Sequence, residues 1–115
     1  MSEPLLPAGI VLKPGAVVLF GAPAVCTRPA AVDVRVAGAA TPEGQEILAD
    51  RVAEGSARWQ ILRQRLHVRL RAVAAAVAHA EGFDCVVRLG DVFHARGRVV
   101  VDCTAAVVRG LAGTP

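Results

Sequence analysis

The sequence predicts an α+β fold. Its parts are short strands forming a small sheet or an oligomeric barrel, a projecting helix or helical hairpin, and a C-terminal helix. Three observations predict it. Apolar residues recur at helical spacing from Trp59 to Val77, alternating Val-rich runs follow Gly82, and an apolar-faced segment follows Asp102. The 115 residues are enough for one domain and too few for two. With 54% hydrophobic and 20% charged residues, the chain carries too much apolar content for intrinsic disorder. Three Phe, one Trp and no Tyr are too few for an aromatic base-stacking platform.

Residues 1–30 read as an N-terminal arm or a degenerate signal-like segment, and residues 31–115 as a single domain. Pro4, Pro7, Pro14, Pro23 and Pro29 crowd the first segment. Lys13, the apolar run 16–20 and Ala22-Pro23-Ala24 outline a secretory signal. Glu3 interrupts its basic region, and Gly21 and Pro23 cut the apolar run short. The competing reading makes 16–20 an extra strand or extended arm. No stretch approaches the roughly 20 apolar residues of a membrane-spanning helix. Residues 32–36, with Val32-Asp33-Val34, are expected to form a strand.

Thr41-Pro42-Glu43 is a helix start: Thr caps free N–H groups, Pro suits the first helical position, and Glu complements the positive helix end. Gly82 marks the stop. Gly55-Ser56 interrupts the span, which leaves two readings: one long helix, or a hairpin with arms 42–54 and 56–81. The second arm would be about 39 Å long. Its seam is Trp59, Leu62, Leu66, Leu70, Val73 and Val77. Glu43, Glu46, Asp50 and Glu54 make the first arm acidic, whereas Arg58, Arg63, Arg65, Arg69 and Arg71 make the second basic. The two charges favour antiparallel contact. The same five arginines would track phosphates if they formed one stripe, but they straddle the Leu seam, as Arg stems do where helices pair.

Beyond Gly82, residues 84–89 read as a strand, Gly90-Asp91 as a turn, 92–94 and 98–101 as short strands, and 104–111 as a helix introduced by Asp102. Cys26, Cys85 and Cys103 lack zinc-ligand spacing, as do His67, His79 and His94. Cys85 shares a strand face with Val87 and Leu89, as a core cysteine does. No cofactor or metal is expected.

Glu81-Gly82-Phe83-Asp84 followed by Val86-Val87, and then Asp102-Cys103-Thr104 with Val107, Val108 and Leu111, resemble the C-terminal part of the Skp/OmpH family of periplasmic chaperones for outer-membrane proteins. At the N-terminal side, Val32-Asp33-Val34 and Pro42-Glu43-Gly44-Gln45 fit the family's strand and Gly-bearing helix start. The resemblance covers roughly residues 31–111, and it rests on order and spacing more than on any single motif. The family's helical arms are much longer than the stub around Gly55.

The resemblance implies a non-catalytic homo-oligomer, a trimer in the family, whose subunits pool short strands and project helices around unfolded protein clients in the periplasm. On that reading Trp59, Leu62 and Leu66, with Arg58, Arg63 and Arg65 beside them, bind client. The competing role for these residues is helix–helix core. The net charge of +3, with cations that are almost all Arg, also admits a basic oligomeric nucleic-acid-binding or structural/interaction protein, and the poor signal outline leaves a cytoplasmic location as the alternative to the periplasm. An enzyme is the third class. Asp91, His94, Ser56 and Thr104 are its candidate groups, and their spacing forms no nucleophile–base–orienter set.

Overall fold

Pro29-Ala30-Ala31-Val32 is the segment around which the chain is arranged. The computed structural model describes residues 9–112. The element order is β1 (Val11–Leu12), β2 (Val18–Gly21), a 3-10 turn (Pro23–Val25), β3 (Pro29–Val32), α1 (Val34–Ala39), α2 (Pro42–Ala49), α3 (Ala57–Glu81), β4 (Cys85–Arg88), β5 (Val92–His94), β6 (Val101–Asp102) and α4 (Thr104–Ala112). The main sheet runs β2-β4-β3-β6, and β1 and β5 form a separate antiparallel pair. β3 lies parallel to both β4 and β6, while β2 is antiparallel to β4. The fold is α+β. Neither sheet closes into a barrel within the chain.

All four residues of β3 are buried. Parallel strands covered on both faces are continuously apolar, and that is what Pro-Ala-Ala-Val supplies. The two-residue alternation sorts the sheet. Ala30, Val32 and Val86 join Leu66, Leu70, Val73, Ala74, Ala78 and Val107 in the core beneath α3 and α4. Ala31, Cys85 and Val87 point the other way, into a smaller cluster with Ile10 and Cys26.

The expected strand over 32–36 is corrected: β3 ends at Val32. Asp33 accepts hydrogen bonds from the Arg35 and Val36 N–H groups, and this cap turns the chain into α1. The strand expected over 98–101 is also shorter, pairing only at Val101 and Asp102. β3 begins at Pro29, which has no N–H to donate, so the parallel register leaves residues 98–100 without a ladder partner. The strands expected at 84–89 and 92–94 are present as β4 and β5, and residues 18–20 of the run 16–20 lie in β2. β2 belongs to the sheet, and the boundary expected between residues 30 and 31 falls inside β3. Residues 1–8, with Glu3, Pro4 and Pro7, lie outside the described residues.

α2 and α3 are separate helices joined by residues 50–56, so the hairpin is the form adopted, with a first arm that ends at Ala49 instead of residue 54. Thr41 Oγ1 caps α2 by accepting from the Gly44 N–H, and Ser56 accepts from Trp59 N–H to start α3. A Cβ at Gly44 would come within 2.0 Å of the Gly38 carbonyl oxygen, so this glycine lets α2 begin against the end of α1. The radius of gyration is 15.8 Å, against about 13 Å for a compact domain of this length. The excess reflects an elongated body.

Gly82 takes φ +80° at the end of α3 and Phe83 packs against the core. Asp84 then reaches across to the loop ahead of β3. Its carboxylate accepts from the N–H groups of Thr27 and Arg28 at 2.8 Å each, from Thr27 Oγ1 at 2.8 Å and from Cys26 Sγ at 3.0 Å. Partial loss of hydration opposes ionisation, but these donors outweigh it and hold the Asp84 carboxyl well below the usual carboxylate range. A depressed carboxylate contributes stability that is present above its unfolded pKa and lost as pH falls through it. Unfolding midpoints measured across pH should therefore fall steadily below about pH 4. Asp84→Asn should be less stable at neutral pH by about 0.5–1 kcal/mol, since solvent screens this exposed clasp, and should show a shallower acid limb.

Candidate functional site

α3 is amphipathic twice over, and the two faces have different fates. The inward seam carries Leu62, Leu66, Leu70, Val73, Ala74 and Ala78, all buried. Leu62 and Leu66 are each 5% exposed, so two residues expected to contact client instead pack within the chain. Leu66 joins the main core cluster and lies beside Gly38 of α1, where a Cβ would meet its Cδ1 at 3.5 Å, so α1 and α2 cover this part of α3. A second stripe, Ile61–Arg65–Val68–Ala72, follows spacings of four, three and four along the outward face. Ile61 is 52% and Val68 66% exposed.

This stripe lines a groove of about 610 Å³ closed on one side by Glu43 of α2 and bordered by Gln64, Arg65 and Arg69. Glu43 is buried and binds Arg69 through both oxygens, to Nε at 2.8 Å and to Nη2 at 3.1 Å. The Arg69 guanidinium holds the Glu43 carboxyl below its ordinary range, outweighing the burial that opposes ionisation. Glu43 also stands in the first turn of α2, where the helix dipole favours an anion. The ion pair thus fixes α2 to the middle of α3 and forms a polar edge beside an apolar stripe.

The other expected site residues are distributed differently. Arg58 reaches back to Glu46, at 2.8 Å, and to Asp50, clasping the end of α2. Trp59 is half-buried with the Arg63 guanidinium 5.3 Å from its ring centroid. Both border a smaller hollow with Leu66 between α1, α2 and α3. Arg65 alone of the six reaches the outward groove. Ile61 and Val68 were not singled out from sequence, whereas the Glu43–Arg69 pair is one of the contacts expected between the acidic and basic arms. Ile61 and Val68 interleave with the stronger Leu seam, and their own seven-residue spacing was the available signal.

The groups considered for catalysis have structural partners. Asp91 accepts from the Val17 N–H at 2.8 Å and from Arg88, and His94 Nδ1 accepts from the Arg96 N–H at 2.9 Å. Ser56 caps α3. Thr104 Oγ1 accepts from the Asp33 N–H and, with its own N–H, donates to Asp102. Among the described residues, no group of three His, Cys, Asp or Glu side chains is placed to hold a metal ion. No helix among them is long and apolar enough to cross a membrane.

A second apolar surface lies by the sheet. Phe93 and Val99 are 71% and 80% exposed, and Val101 stands on β6, the outermost strand. No family model, curated protein or solved structure matches the chain.

The two faces of α3 should separate in unfolding experiments. Leu66→Ala should cost about 2–5 kcal/mol, as a buried leucine does. Ile61→Ser and Val68→Ser should stay within about 0.5 kcal/mol of the parent. Urea titrations of the three variants check this, and equal losses at Leu66 and Val68 would contradict the assignment of the faces.

Proposed function

We propose that the protein is a non-catalytic, oligomeric holdase of the Skp/OmpH type, acting in the periplasm on unfolded outer-membrane proteins. The observation that carries the reading is the outward groove of α3, where an exposed apolar stripe is flanked by Arg65. Unfolded membrane-barrel segments present apolar side chains in extended chain, and a shallow apolar groove takes such a segment without requiring a folded shape. Arginine stems extend the apolar surface while the guanidinium heads stay solvated. Ile61, Arg65 and Val68 replace Leu62 and Leu66 as the central contacts, and Trp59 with Arg63 borders the neighbouring hollow.

The order of elements supports the same reading. A strand ending in Val32-Asp33 leads to helices, a long helix ends at Gly82, a Val-rich strand follows, and a short strand precedes the last helix. This is the order the resemblance implies. The engagement of Arg58 and Arg69 with acidic side chains weakens the nucleic-acid alternative, because those cations are already neutralised.

Self-association belongs to the proposal, with a trimer as the expected state. β6 offers an outer edge, and Val99 and Val101 leave apolar surface at it. An edge strand beside apolar surface favours pairing with another chain.

Aggregation of a denatured outer-membrane β-barrel protein, followed by light scattering, tests the function. The wild type at several-fold molar excess should suppress aggregation. Ile61→Glu/Val68→Glu should abolish suppression, and Arg65→Glu should weaken it several-fold, with unfolding midpoints close to the parent. Absence of suppression by the wild type would sink the holdase reading. Suppression unchanged in the double variant would move the binding surface elsewhere. Sedimentation that gives a monomer across a wide concentration range would remove the oligomer.

A further inference from the structure

Two of the three cysteines lie in one cluster against the sheet, Cys85 from β4 and Cys26 from the loop ahead of β3. Cys26 and Cys85 are both buried and pack with Ile10, Ala31 and Val87 on the side away from the helices. Both side chains belong to one small buried cluster of five residues. Cys26 Sγ also donates to Asp84 Oδ1 at 3.0 Å, and Asp84 directly precedes Cys85. Cys103 lies in the opposite cluster, under α3 and α4.

The two thiols sit on segments with different freedom. Cys85 opens β4, which is paired on both sides, to Gly21 of β2 and to Pro29 of β3. Cys26 follows the 3-10 turn in a connecting loop whose neighbours Val25, Thr27 and Arg28 are exposed. Cys26 therefore reaches solvent only when the loop opens and releases the Asp84 clasp, whereas Cys85 is held within the sheet.

We propose that Cys26 and Cys85 are a redox pair that a small-molecule disulfide converts into an intramolecular bond, tying the loop before β3 to the start of β4. The exchange balances. Cys26 releases its proton to solvent and its thiolate attacks one sulfur of the small disulfide, expelling a thiolate. Cys85 then loses its proton and attacks the Cys26 sulfur of the mixed disulfide, expelling the second thiolate. The expelled pair takes up two protons, so two protein thiols are oxidised and one disulfide is reduced to two thiols. Burial disfavours both protein thiolates, and the neighbouring Asp84 carboxylate adds to this at Cys26, so exchange is slow and passes through loop opening.

The bond would close a long loop in the unfolded chain, running from residue 26 to residue 85, and so restrict that chain strongly. Asp84 would lose one donor, Cys26, and keep Thr27 and Arg28. The chemistry is independent of client binding and holds whether or not the groove of α3 has the proposed role.

The test is equilibration of the folded wild type with oxidised glutathione, followed by intact mass and by alkylation after unfolding without reduction. The expected result is loss of two hydrogen atoms, a single alkylated thiol at Cys103, and a peptide map joining Cys26 to Cys85. The oxidised form should melt several degrees above the reduced form. Cys103→Ala should behave as the wild type, and Cys26→Ala and Cys85→Ala should each fail to form the bond. A bond involving Cys103, accumulation of glutathione adducts in place of the internal bond, or three alkylated thiols would overturn the pairing. An oxidised form that melts no higher than the reduced one would overturn the tie.

Discussion

Burial of β3 on both faces is the constraint from which the rest of the arrangement follows. A strand of Pro, Ala, Ala and Val has little side-chain volume, so helices approach it closely on one side and the loop cluster of Ile10 and Cys26 on the other. Its backbone must still be paired, because unpaired buried amides are costly. β4 and β6 do this from opposite sides, and both come from the end of the chain. Long-range parallel pairing forces the intervening residues 33–84 to leave the sheet and return, which they do as helices. The hairpin of α2 and α3 is thus a consequence of the crossover as much as of its own sequence.

Polar side chains fix the points where that crossover begins and ends. Asp33 caps α1 immediately after β3, and its N–H bonds Thr104 at the start of α4. Asp84 performs the reciprocal task after α3, gathering the loop that leads into β3. The Gly82-Phe83-Asp84 segment, which carries much of the family resemblance, therefore has a structural job in each residue: left-handed turn, core contact and loop clasp. A motif of this kind speaks for an architecture and is silent about what the protein binds.

The long helix was legible because its apolar seam, its Ser56 cap and its Gly82 stop all agree, and the structure places α3 at Ala57–Glu81. β4 and β5 were legible for similar reasons. The segment 32–36 was not, since Val-Asp-Val-Arg-Val alternates as a strand does while Asp33 acts locally as a helix cap; the cap prevailed because β3 already reaches its paired length at Val32. At the site the difficulty was different. Leu62 and Leu66 belong to the strongest apolar period, and the strongest period marks the face that the chain itself buries. The accessible stripe is the weaker one, Ile61 and Val68, and only knowledge of which side meets the rest of the chain separates them.

The two unfinished surfaces differ in what they can accept. The edge at β6 offers backbone groups beside Val101, a surface that an identical strand satisfies without any charge pattern. The groove of α3 offers side chains and positive charge. If two copies met through their grooves, each would bring Arg65 from the middle of its Ile61–Val68 stripe into the contact. Like charges would then be desolvated together, which costs more than the modest apolar area returns. Glu43 gives no relief, because Arg69 already occupies both of its oxygens. The proposed reading therefore assigns self-association to the sheet edge and leaves the groove for a partner that brings apolar groups without matching cations. On that proposal, assembly and client binding would use different surfaces of one small chain and would not compete.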